Sequence, residues 1–78
     1  MKGSGRIVRY EVHALRRMQQ RGISKEQVAQ VLRRPQANRS ARREGAKRLE
    51  RRLSAKRRLA VIVEETDRFI RIVSAFWM

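Results

Sequence analysis

Two hydrophobic periods divide the chain. From Glu11 to Arg34 apolar residues recur at helical spacing, and after Ala55 they run in blocks suited to strands. At about 100° per residue, Ala14, Leu15 and Met18 gather on one side of a helix over residues 12–20, starting at Glu11 or Val12. His13, Arg17, Gln20 and Arg21 gather on another side. Gly22 follows as a stop, because glycine adopts the left-handed conformation that a side chain resists. A second helix then opens with Ser24 as N-cap, Gln27 as its capping-box partner and Ile23 placed to staple onto Val28. Val28, Ala29, Val31 and Leu32 form its packing face, and Pro35 ends it by pushing the preceding residue out of the helical region.

The C-terminal half changes period. Residues 59–64 are rich in branched aliphatics, and residues 69–76 are apolar nearly throughout, as expected of a strand buried on both faces. Glu65, Thr66, Asp67 and Arg68 make the hairpin between them. Residues 6–10 are expected to be extended and residues 1–5 to be a loose, flexible end. Residues 38–55 satisfy two periods at once. Ala46, Leu49 and Leu53 fit a helix, while Leu49 and Leu53 also share one face of a strand, so periodicity leaves both open.

The chain has 78 residues, enough for one domain with a thin core. With no cysteine it has neither a disulfide nor a cysteine zinc site. No segment approaches the roughly 20 apolar residues of a membrane span, and the start MKGSGRIVRY lacks the apolar core of a signal peptide. A soluble, cytoplasmic protein is expected. Charge sharpens the picture: 21 Lys and Arg oppose 7 Asp and Glu, a net +14. Twelve of the basic residues fall between Arg33 and Arg58 against only Glu44 and Glu50, so this segment alone carries +10. Nucleic acid is the commonest polyanion to meet such a field, with an anionic membrane surface, an acidic protein or plain solubility as alternatives.

The stretch VHALRRMQQRGISKEQVAQVLRRP places His13-Ala14, then Arg17-Met18, then Arg21-Gly22-Ile23-Ser24, then a helix closing at Pro35. In that order it resembles the opening of a small bacterial family known as a domain of unknown function, DUF4258. The ending LAVIVEETDRFIRIVSAFW resembles the family's aliphatic strand, turn and final strand, with Ser74 where Thr is usual. The resemblance implies an α+β fold related to RelE-type toxins and to the set named for barnase, EndoU, the colicin ribonucleases and RelE. In that architecture two N-terminal helices precede a twisted antiparallel β-sheet of three to four strands. Residues 47–53 then become a strand with a weak extra strand before it, in a single domain spanning residues 1–78. The set is rich in metal-independent ribonucleases and toxin halves of toxin-antitoxin pairs. RNA, free or ribosome-bound, and an acidic antitoxin are therefore the implied partners, with no membrane.

Cleaving RNA without a metal requires a base for the 2′ hydroxyl, an acid for the leaving oxygen, positive charge on the phosphoryl oxygens and positioning. His13, the sole histidine, is the natural acid or base. Arg17 and Arg21, one and two turns on, are natural phosphate clamps. On the implied sheet packing Arg57, Arg58 and Ser74 face the same cleft, and Arg58 and Ser74 complete a catalytic set of His13, Arg17, Arg21, Arg58 and Ser74. Arg33, Arg34, Arg39, Arg42, Arg43, Lys47, Arg48, Arg51, Arg52, Lys56 and Arg57 form the expected RNA-binding surface. Plainer roles compete: His13 paired with Glu11, Arg17 and Arg21 bridging carboxylates, Ser74 tolerated in an apolar strand. Tyr10, Phe69, Phe76 and Trp77 are needed to fill the core before they stack on bases. One His and no Cys make no zinc site, Glu64, Glu65 and Asp67 read as solvated turn carboxylates, and no glycine-rich phosphate loop is present. No metal or cofactor is expected. A non-catalytic nucleic-acid-binding module and an interaction protein awaiting an acidic partner are the competing functions.

Overall fold

In the computed structural model, which describes residues 7–41 and 45–78, the chain runs β1 (Ile7–Tyr10), α1 (Val12–Arg21), α2 (Lys25–Arg33), β2 (Ala37–Ser40), β3 (Ala46–Arg52), β4 (Arg58–Glu65) and β5 (Phe69–Trp77). The expected loose end at residues 1–5, and Arg42 and Arg43 of the expected basic surface, lie outside the described residues. Both helices begin and end on local signals. Gly22 terminates α1 at φ 68°, and the Ile23 N–H bonds the Met18 carbonyl at 2.8 Å. The Gln27 N–H donates to Ser24 Oγ at 3.1 Å while the Ser24 N–H donates to Gln27 Oε1 at 2.9 Å, a complete capping box for α2. Ile23 and Val28 are both buried beside it.

The strands form one sheet in the order β1-β5-β4-β3-β2. This corrects the expected architecture of helices first and then three to four antiparallel strands, the arrangement drawn from the likeness to RelE and barnase. The sheet has five strands and is mixed, because β1 precedes the helices and pairs parallel to β5, Ile7 opposite Phe69 and Tyr10 opposite Ile72. Four residues carry no period of their own, and the partner that makes β1 a strand lies at the other end of the chain. The ambiguous middle resolves as strand: β3 has seven register pairs with β4 and four with β2. Those two ladders outweigh the helical propensity of its Ala, Arg, Glu and Leu.

Alternation along the strands gives the sheet two unlike faces. Leu49, Val61 and Ala75 stand abreast on β3, β4 and β5, flanked by Leu59, Val63 and Ile72. Against them pack Ala14 and Met18 of α1 and Val28 and Val31 of α2. Each fully buried Leu, Ile or Val here contributes about 1.5–3 kcal/mol. Among the described residues the opposite face has no helix on it, and it carries Arg48, Glu50, Ala60, Ile62, Ser74 and Phe76 in adjacent rows. β5 is therefore not buried on both faces: only Ile72 and Ala75 are buried in it. Between Ile62 and Val63 the β4–β5 register shifts at a bulge, where Val73 is the extra residue. Among the described residues no helix is long and apolar enough to cross a membrane.

Ile72→Ala empties a site at the centre of this core and is expected to lower unfolding stability by about 2–5 kcal/mol, whereas Val12→Ala, at an exposed position, stays within about 0.5 kcal/mol. Denaturant titration of the two variants checks both values.

Candidate nucleic-acid interface

On the face of the sheet that the helices leave open, Glu50 is the one buried charged residue among those described, with 2% exposure. Three guanidinium groups from three strands close over it. Arg48 Nε donates to Oε2 at 2.7 Å, Arg58 Nε and Nη2 approach Oε1 at 3.4 Å, and Arg39 Nε lies 3.6 Å from Oε2. Burial by itself raises the pKa of the Glu50 carboxyl. The hydrogen bond and charge of Arg48, the charge of Arg39 and the hydrogen bond of Arg58 outweigh it, and the net shift is downward. One anion among three cations leaves two positive charges over, and 67% of the Arg39 side chain and 33% of the Arg48 and Arg58 side chains still meet solvent. Those exposed N–H groups are the part of the cluster that an incoming phosphate can reach.

The aromatic rings of the same face are roofed by arginine. The Arg48 guanidinium lies 5.1 Å from the Phe76 centroid, and Arg9 and Arg71 lie 4.9 Å and 5.7 Å from that of Phe69. Arg71 also meets Glu64 at 3.5 Å. By register Arg52 and Arg58 share this face, so Arg9, Arg39, Arg48, Arg52, Arg58 and Arg71 stand there against Glu50 and Glu64. Planar cations held flat over rings suit stacking of unpaired bases, and the same cations suit the phosphates between them.

The expected catalytic residues divide between the two layers. His13 is exposed on α1, with Nδ1 3.5 Å from Glu11 Oε2, and Arg17 is exposed on the same helix. Arg21 is tied into the fold: its Nη1 donates to the Ala75 carbonyl at 2.8 Å, and its own carbonyl accepts from Trp77 Nε1 at 2.8 Å. Arg58 and Ser74 lie on the open face, away from the helices, so the sheet stands between them and the α1 residues. Of the expected binding residues, Arg39, Arg48 and Arg52 are on the open face, while Lys47 reaches Glu65 at 3.3 Å on the helix side. Arg33 and Arg34 end α2 beside Arg51, Lys56 is exposed in the β3–β4 turn, and Arg57 covers the Trp77 ring at 4.2 Å.

Sequence reasoning missed Glu50 as an organiser, and missed Arg9 and Arg71. Once residues 46–52 are taken as a strand, alternation puts Arg48, Glu50 and Arg52 opposite Leu49, and that signal was present in the sequence. Nothing local shows that Arg9 joins them, because its place depends on the parallel pairing of β1.

Residues 10–77 match the model of the family described as Domain of unknown function (DUF4258), and the chain belongs to that family. No curated protein and no solved structure matches it.

A carboxyl whose folded pKa is depressed contributes stability above its unfolded pKa and loses that contribution as pH falls through the folded value. Unfolding stability is therefore expected to drop as pH goes below the ordinary carboxylate range, and Glu50→Gln is expected to flatten that part of the profile. Denaturation midpoints measured from pH 7 down to pH 2 test this.

Proposed function

We propose that this protein is an RNA-binding, toxin-like protein of the cytoplasm that holds single-stranded RNA across its open sheet face and cleaves it without a metal. The observation that carries the reading is that face itself, with six arginines against two glutamates among the described residues and two phenylalanines roofed by guanidinium groups. The motif around His13, Arg17 and Arg21 resembles the opening of the DUF4258 family, and the relation to RelE-type toxins which that resemblance implies favours cleavage, with His13 and its neighbour Arg17 the group to which the acid-base step falls. An acidic antitoxin is the partner of complementary charge.

A second reading is favoured by one observation: Arg58 and Ser74 lie across the sheet from His13, so among the described residues the open face holds no side chain whose ordinary pKa is near neutrality. On that reading the chain binds RNA and leaves it intact.

About six phosphate contacts predict a log-log salt slope near −4 for single-stranded RNA, a loss of a few hundredfold in affinity between about 50 and 200 mM salt. Arg39→Gln and Arg48→Gln are each expected to reduce the slope by about 0.7. Anisotropy titrations across salt concentrations measure it, and a flat salt response removes the RNA reading. In chelator-treated reactions His13→Ala is expected to abolish cleavage and retain binding. RNA left intact by the unaltered protein, with and without ribosomes, selects the second reading.

A further inference from the structure

The C-terminal end of α2 and β3 border a shallow, solvent-open cavity of about 320 Å³, lined among the described residues by Gln30, Arg33, Arg34 and Arg51. Arg51 stands on the helix side of β3, paired with Leu59 across the strands, and is fixed there by donating Nη1 to the Arg34 carbonyl at 2.9 Å. That carbonyl belongs to the end of a helix, where the backbone leaves acceptors without partners. Among the described residues, no carboxylate pairs with Arg33, Arg34 or Arg51. The contrast with the open sheet face is direct, since there Glu50 sits within reach of three arginines. The negative end of the α2 dipole offsets part of the repulsion between the cations but puts no counter-ion in the cavity.

Three cations converging on one space, with a carboxamide donor at its wall, match an anion of more than one charge. A backbone phosphodiester carries a single charge. A phosphomonoester carries about −1.5 to −2 at pH 7 and three acceptor oxygens. The volume lies at the low end of the range of about 300–1,000 Å³ for small-ligand sites. We infer that this cavity is a separate binding site for a phosphomonoester, borne by an RNA end or by a free mononucleotide. β3 lies between it and the open face, so the inference stands apart from whether RNA is held there.

The test compares one short single-stranded RNA bearing a 5′-phosphate, a 3′-phosphate or neither, together with adenosine monophosphate, by anisotropy and calorimetry on the full chain. The expected result is about tenfold tighter binding of one phosphorylated form over the unphosphorylated RNA. Saturable binding of the mononucleotide without end preference instead assigns the site to free nucleotides. In either case Arg51→Gln is expected to remove the effect, bringing the affinity ratio near one or abolishing mononucleotide binding. Arg33→Gln is expected to do the same, and its exposed side chain makes no hydrogen bond to a described residue whose loss would unfold the protein. Equal affinity for all three RNAs with no mononucleotide binding overturns the inference, as does an effect that survives both substitutions. Should no RNA bind at all, the mononucleotide arm still reads the cavity, so failure of the RNA reading and failure of this site give different results.

Discussion

Two short helices can cover only one face of a five-stranded sheet, and the rest of the molecule follows from that limit. Strands about 4.8 Å apart make a sheet about 20 Å wide, and two helices about 10 Å across span it once. The apolar side chains of β3, β4 and β5 that face α1 and α2 form the core. Among the described residues no second layer covers the other face, which meets water with side chains that tolerate it.

The protein meets that requirement with arginine. A guanidinium lies flat on an aromatic ring more readily than a compact, strongly hydrated ammonium does, so Arg48 over Phe76 and the Arg9 and Arg71 pair over Phe69 shield apolar surface while keeping charge at the solvent. Gathering that many cations on one face would be unfavourable without an anion inside the cluster. Glu50 supplies it and at the same time ties Arg39 of β2, Arg48 of β3 and Arg58 of β4 to one carboxylate. The carboxylate is buried and cannot rely on water, which is why all three partners matter to it.

β3 carries cations on both faces, and the two sets differ in what balances them. On the open side Arg48 and Arg52 flank Glu50, whereas Arg51 on the helix side joins Arg33 and Arg34 around a cavity in whose wall no carboxylate stands among the described residues. The first arrangement keeps an extended surface positive and ordered. The second leaves a small volume of concentrated positive charge. A single basic run in the sequence thus becomes two surfaces of different character.

Both helices were legible in the sequence because their signals are local: Ala14 and Met18 at helical spacing, Gly22 as the left-handed stop, Ser24 with Gln27 as the capping box, and Pro35 as the end. β4 and β5 were legible for the same reason, as were the candidate residues His13 and Arg17 on one helix face. Residues 6–10 were expected to be extended and the family resemblance implied a strand at residues 47–53, but periodicity left the leucines of β3 fitting two periods until β2 and β4 pair with it, and tertiary structure decided that β1 pairs parallel to β5. It also decided that Arg58 and Ser74 face away from His13, that Arg21 is engaged with Ala75 and Trp77, and that Glu50 gathers three arginines. Spacing along the chain encodes which neighbours a residue has within a turn or a strand. Which face of the sheet it finally shares with residues far away depends on strand partners, and those are chosen by burying apolar area in three dimensions.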